Sequence, residues 1–216
     1  MADEIDISEL ADEPEPVETR YTAFEFWEYR QLLYPQEHPQ SWIDLAESFY
    51  HAAEVIVDGV VEGKLFEDIH GVAGIFAFRH FLELSLKGIV GSGRWLVEPH
   101  VNATPIDFKA VQNEHNLRVL WNWVLRDARP KLESQYWENF DTPFVEKCIA
   151  EFDNADAKSF AWRYPRQGSE RYRYDFAAIR HAMRHVRLVL DGIKNILNEM
   201  YAANAEWEAE LRSMAD

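Results

Sequence analysis

The segment "RHAMRH", residues 180–185, places Arg180, His181, Arg184 and His185 within one short run, and Arg187 follows. Histidine titrates near neutral pH and can take or give a proton, while the arginine guanidinium matches phosphate oxygens. Together these types can carry acid–base chemistry on a phosphodiester, with arginine stabilising the charge that develops. They also suit the basic face of an ordinary solvated helix. At about 100° per residue, Arg180, Arg184, His181 and His185 fall at roughly 0°, 40°, 100° and 140°. Ala178, Ala182, Val186, Val189, Ile193 and Ile196 occupy the opposite arc. The spacing predicts a helix that packs on its aliphatic side and turns all four basic residues outward.

A second polar group lies in "FRHFLELSLKGIV", residues 78–90. Arg79, Glu83 and Lys87 stand at i, i+4 and i+8, one ladder on one face. Phe78, Phe81, Leu82, Leu84 and Leu86 make the helix apolar nearly all round, which predicts burial. Buried charges need partners, and these three can satisfy one another. The group reads either as an internal salt network that fixes helix register or as a polar site with His80 as proton carrier. In "HNLRVLW", residues 115–121, His115, Leu117, Leu120 and Trp121 form an aromatic-apolar face at helical spacing. A histidine at such a helix entry is usually a hydrogen-bonded structural residue.

Other chemistries find little footing. No glycine-rich phosphate loop, H-E-x-x-H motif or nucleophile elbow is present. His181 and His185 are spaced to share a divalent cation, but only Asp191, poorly placed along the helix, offers a carboxylate. No metal and no cofactor are expected.

The elements that position these residues read as helices. "HPQSWIDLAESFYHAAEVIVDGVVEG" predicts a helix from Trp42 to about Val61, with Ser41 and Asp44 as its N-terminal cap and Gly63 beyond its end. A third helix is predicted over about Glu67–Val90, stopped by "GSGRW", then a loop over 91–107. Further helices are predicted over 108–128, 131–139 and 143–153, the last started by Thr142 and Pro143. The aromatic-rich "YTAFEFWEYRQLLY" at 21–34 reads as a first helix. A long last helix is predicted from Asp175 to at least Met200, reaching toward Arg212. The architecture is therefore an all-α bundle with long third and last helices and one domain over 21–212.

The 216 residues suffice for one substantial core, and a 14% aromatic content favours a packed globule. The lone cysteine, Cys148, rules out a disulfide framework. The N-terminus lacks a secretory signal and no apolar run is long enough for a bilayer span, so a cytoplasmic protein without membrane contact is expected. A net charge of −16 argues against indiscriminate nucleic-acid binding. The charge is uneven. Residues 1–20 hold eight acids and one arginine, an acidic flexible tail, whereas residues 158–194 hold nine Lys/Arg against three acids. A surface for RNA or an acidic partner should lie in the latter segment. Within it, "WRYPRQGSERYRY" (162–174) sets Arg163 and Arg173 among Trp162, Tyr164, Tyr172 and Tyr174. Such a loop can stack bases or simply cap the bundle.

"FRHFLELSLK", "HNLRVLW" and "RYP" at 163–165 together resemble small bacterial all-α proteins of the HEPN superfamily over roughly residues 70–200. Those carry an Arg-His-x-x-Glu-Leu-x-Leu-Lys helix, a His-x-Leu-x-x-Leu-Trp helix and a Phe-Arg-Tyr-Pro loop. This chain departs from the last, with Ala161 and Trp162 between Phe160 and Arg163. The resemblance implies a HEPN-like bundle and, in many members, metal-independent RNA cleavage by toxins or phage-defence effectors. It assigns Arg180 and His185 as the catalytic pair, with His181 as the polar residue after the arginine. Arg184, Arg187, Arg163, Arg173 and Tyr164 would then hold RNA. A homodimer joining two such helices, and a neutralising protein partner, are further implications. Other members serve only as interaction subunits of larger complexes. The family pattern is an arginine, four to six residues, then a histidine, and composition alone supplies about 1.7 such pairs. Two occur, Arg180/His185 and Arg94/His100, and only the first lies on the last long helix.

Overall fold

Ile43, Ala46, Tyr50, Ala53 and Val57 recur at alternating three- and four-residue steps and are all buried, which draws α1 (Pro39–Val61) onto the core along one stripe. The computed structural model describes residues 39–96, 108–156 and 174–215, within a structural unit spanning Glu37–Asp216. The acidic N-terminal segment, the predicted helix 21–34, and Arg163, Tyr164 and Arg173 lie outside the described residues. Every regular element among the described residues is helical.

Helix α1 already includes Pro39, so Ser41 falls inside it and does not cap it. Asp44 accepts instead from Gln40 Nε2 (2.8 Å). The other end follows the prediction. Gly63 sits at φ 71°, and the Lys64 and Leu65 amides return to the Gly59 carbonyl (2.8 and 2.9 Å). A short wide turn, Glu67–Gly71, then leads into α2 (Val72–Trp95), antiparallel to α1.

Helix α2 is the centre of the described bundle. Every residue from Phe81 to Gly91 is buried, and Phe78, Phe81, Leu82, Leu86, Ile89 and Val90 supply core on all sides. The predicted stop at "GSGRW" does not occur; the helix runs on to Trp95. Packing overrides glycine's weak helix propensity here. A Cβ on Gly93 would sit 2.7 Å from Ala128 Cα and 2.9 Å from the Asp127 carbonyl, so only glycine admits this approach. Arg94 Nε donates to Asp127 Oδ2 (2.7 Å) across the same contact.

The predicted helix 108–128 is broken. Helix α3 (Phe108–Asn113) ends, and α4 (Leu117–Trp123) starts afresh with Asn116 as its cap, Oδ1 accepting from the Val119 amide at 2.9 Å. Glu114 Oε1 takes the His115 and Asn116 amides (2.9 and 2.8 Å), so side chains replace the helical bonds at the break. A wide turn (Val124–Ala128), a tight one (Arg129–Lys131) and the short α5 (Ser134–Glu138) follow. Helix α6 (Thr142–Asp156) packs against α4 and α7. Its cap is Asp141, one residue before the predicted start, with Oδ1 accepting from the Phe144 amide (3.3 Å).

Helix α7 (Phe176–Ala215) begins after Asp175, whose Oδ1 accepts from the Ala178 amide (2.9 Å). Its 40 residues span about 60 Å. Its buried stripe is Met183, Val186, Val189, Leu190, Ile193 and Leu197. Of the predicted aliphatic arc, Ile196 and Ala182 are half-buried and Ala178 is exposed, so the stripe lies some way round from the predicted one.

Candidate functional site

Two polar constellations emerge, one inside the bundle and one on its flank. Inside, Arg79, Glu83 and Lys87 are almost completely buried on α2. Arg79 Nη1 and Lys87 Nζ both donate to Glu83, at 3.0 and 2.9 Å. The break between α3 and α4 supplies further partners. Arg79 Nη2 donates to the His115 carbonyl (2.7 Å) and Lys87 Nζ to the Gln112 carbonyl (2.9 Å), two groups that a continuous helix would have kept for itself. His115 Nδ1 lies 2.9 Å from Glu83 Oε1. An ionised carboxylate can only accept, so Nδ1–H is the donor. The two sequence motifs are thus two halves of one network. Burial pushes the Glu83 carboxyl up, but the Lys87 ammonium and the bonds from Lys87 and His115 outweigh it and hold the carboxyl below its ordinary range. The His80 ring meets Phe49 edge-on at 4.3 Å and stacks on Phe76 at 6.0 Å.

On the flank, α7 runs antiparallel to α1 along a seam of alternating charge. Arg180 Nη1 reaches Asp58 Oδ1 (3.3 Å), and Arg184 reaches Glu54 Oε1 (2.9 Å) and Asp58 Oδ2 (3.0 Å). Arg187 Nη2 reaches Glu47 Oε2 (2.7 Å), and Lys194 lies 2.6 Å from Asp191 and 3.2 Å from Glu47. Tyr50 sits in the seam, its ring 4.3 Å beneath the Arg187 guanidinium and its hydroxyl 3.4 Å from Glu54. Burial, together with the Glu54 charge, pushes that hydroxyl above its ordinary range and keeps it a donor. The expected outward arc therefore divides. Arg180, Arg184 and Arg187 turn toward α1, because Glu47, Glu54 and Asp58 form a matching acidic row there. His181 is exposed. His185 turns to the start of α6, with Nε2 3.0 Å from Asp141 Oδ2 and the ring edge-on to Phe144 at 4.9 Å. Asp141 thus serves α6 and His185 at once, Oδ1 accepting from the Phe144 amide and Oδ2 from His185 Nε2–H.

Magnitudes separate the two constellations. Removing one partner of a buried pair costs about 3–5 kcal/mol. The α2 network is therefore a fixed strut between α2 and the α3–α4 break. Pairs as open as those of Arg180 and Arg184 contribute about 0–1 kcal/mol each, so another anion can displace them. Of these two constellations the seam can exchange its partners cheaply, and His185 lies on the same stretch of α7, turned to α6 rather than to α1.

Sequence reasoning missed the acidic row and Asp141. The row has a signal, since Glu47, Glu54 and Asp58 recur at i, i+7 and i+11 on one face of α1. Asp141, 44 residues from His185, has none. Among the described residues no group of three or more His, Cys, Asp and Glu is arranged to hold a metal ion. Nor is any described helix long and apolar enough to cross a membrane. The chain matches no protein-family model, no curated protein and no solved structure.

Proposed function

We propose that this chain is a metal-independent RNA endonuclease of HEPN type, with His185 and Arg180 as its catalytic pair. The observation that carries the reading is His185 held by Asp141, half-exposed, on the same stretch of α7 as Arg180 and Arg184. His185 Nδ1 takes the proton of a ribose 2′-hydroxyl; the 2′-oxygen attacks phosphorus and the 5′-oxygen leaves. A second histidine, His181 or the His185 of a second copy, returns a proton to the leaving oxygen. Arg180 and Arg184 exchange Glu54 and Asp58 for the phosphate and offset its charge. The products are a 2′,3′-cyclic phosphate and a 5′-hydroxyl end. The role is that of a toxin or phage-defence effector, kept in check by a protein partner.

A homodimer across this flank is part of the proposal. On a chain of net charge −16, four acids and four bases along the seam balance locally, and Val55 and Leu188 beside it are 72% and 70% exposed. Two copies meeting there bring no net charge from the seam against each other. The second reading is an interaction subunit without catalysis. It is favoured by the carboxylates already on Arg180, Arg184 and Arg187, which leave the seam neutral without a ligand.

Incubation with end-labelled structured RNA separates the two. The nuclease reading expects cleavage of RNA but not of DNA of the same sequence, with cyclic-phosphate ends, and its loss in Arg180→Ala and His185→Ala. Cleavage equal in wild type and both variants contradicts it.

A further inference from the structure

The buried stripe of α7 does not stop where the bundle stops. Val186, Leu190, Ile193 and Leu197 continue at the same three- and four-residue steps into Met200, Asn204, Trp207, Leu211 and Met214. The described side chains from Tyr201 to Met214 are all exposed, Trp207, Leu211 and Met214 by 58, 49 and 77%. A helix of this length is marginal in water without packing, and a row of Trp, Leu and Met is a poor solvent face. Met200, Trp207 and Met214 stand seven residues apart, the spacing by which one helix meets another.

The charges beside the row decide what meets it. With Trp207 at 0°, Glu199, Glu206 and Glu210 fall at about −80°, −100° and −60°, on one acidic edge. In an antiparallel pair of helices equivalent edges face each other, so a second copy would oppose glutamate to glutamate. A parallel second copy offers Arg212 as the one base of this stretch. We propose that residues 200–214 are a docking surface for a helical protein segment apolar on one face and lysine- or arginine-rich along its edge. This surface is separate from the α1/α7 seam and stands whether or not the chain cleaves RNA.

The test uses the full chain and a labelled peptide of about five helical turns, with leucines on a heptad stripe and lysines along both edges. A control peptide has glutamate for each lysine. The lysine peptide is expected to bind wild type and gain helicity, to bind more weakly as salt rises, and to lose about tenfold or more in affinity for Trp207→Ser/Leu211→Ser. Glu206→Gln/Glu210→Gln should also weaken it. These side chains are exposed, so an unchanged unfolding midpoint checks that the bundle stands. Four results overturn the proposal: no binding to wild type, equal binding of the glutamate peptide, indifference to the Trp207/Leu211 variant, or sedimentation of wild type as a dimer that Trp207→Ser dissociates.

Discussion

Glu83 accepts from Arg79, Lys87 and His115, so one carboxylate answers for two buried cations. Glu83→Gln leaves both cations without a counter-charge and is expected to cost about 3–5 kcal/mol in chemical denaturation at neutral pH. The folded-state pKa of Glu83 lies below its ordinary value. Its contribution is therefore complete above the ordinary glutamate range and lost as pH falls through the folded value. Wild type should weaken steeply in that acid window, and Glu83→Gln should flatten the dependence; an unchanged slope contradicts the assignment. This cluster was half legible. The i, i+4, i+8 ladder announced a buried network, but which carbonyls completed it depended on the helix break at Glu114–Asn116. Side-chain capping made that break, and hydrophobic period alone does not reveal it. His185 was legible as a candidate and its partner Asp141 was not, since a contact between distant positions leaves no spacing to read.

Where elements meet, the seam between α1 and α7 is the joint that can open. Glu54→Gln/Asp58→Asn frees Arg180 and Arg184 and removes pairs of about 0–1 kcal/mol each, so the fold should hold. Under the nuclease reading this variant should bind structured RNA more tightly than wild type, by several-fold in a filter-binding titration; unchanged or weaker binding argues that the carboxylates are not in competition with phosphate. The opposite kind of joint lies at Gly93. Gly93→Ala pushes a methyl group against Ala128 backbone and is expected to destabilise by roughly 1–3 kcal/mol in thermal or chemical unfolding. A neutral result would mean that α2 and the turn at Ala128 can separate freely. The helices themselves were read from apolar period with useful accuracy, α1 and α7 best. Errors fell where tertiary contact beats local preference: glycines 91 and 93 looked like a stop, and Gly93 instead allows close approach to Ala128.

For the molecule as a whole, the all-α architecture follows from composition and period, and the long α2 and α7 appear as expected. What charge does across the surface was less legible. The basic residues of α7 seemed to offer a free arc, yet α1 brings Glu47, Glu54 and Asp58 to meet Arg180, Arg184 and Arg187. Sequence-local charge counts cannot see a partner supplied by another helix. A seam so balanced suits self-association, and wild type is expected to sediment as a dimer that Leu188→Glu dissociates; a monomer at all concentrations contradicts the composite site. Catalysis by Arg180 and His185 is tested by single-turnover cleavage of end-labelled structured RNA by wild type, Arg180→Ala and His185→Ala, all shown to be folded. Cleavage by wild type and a fall of about 10²-fold or more in each variant are expected. Equal rates in all three, or no cleavage by any, would contradict that catalytic role.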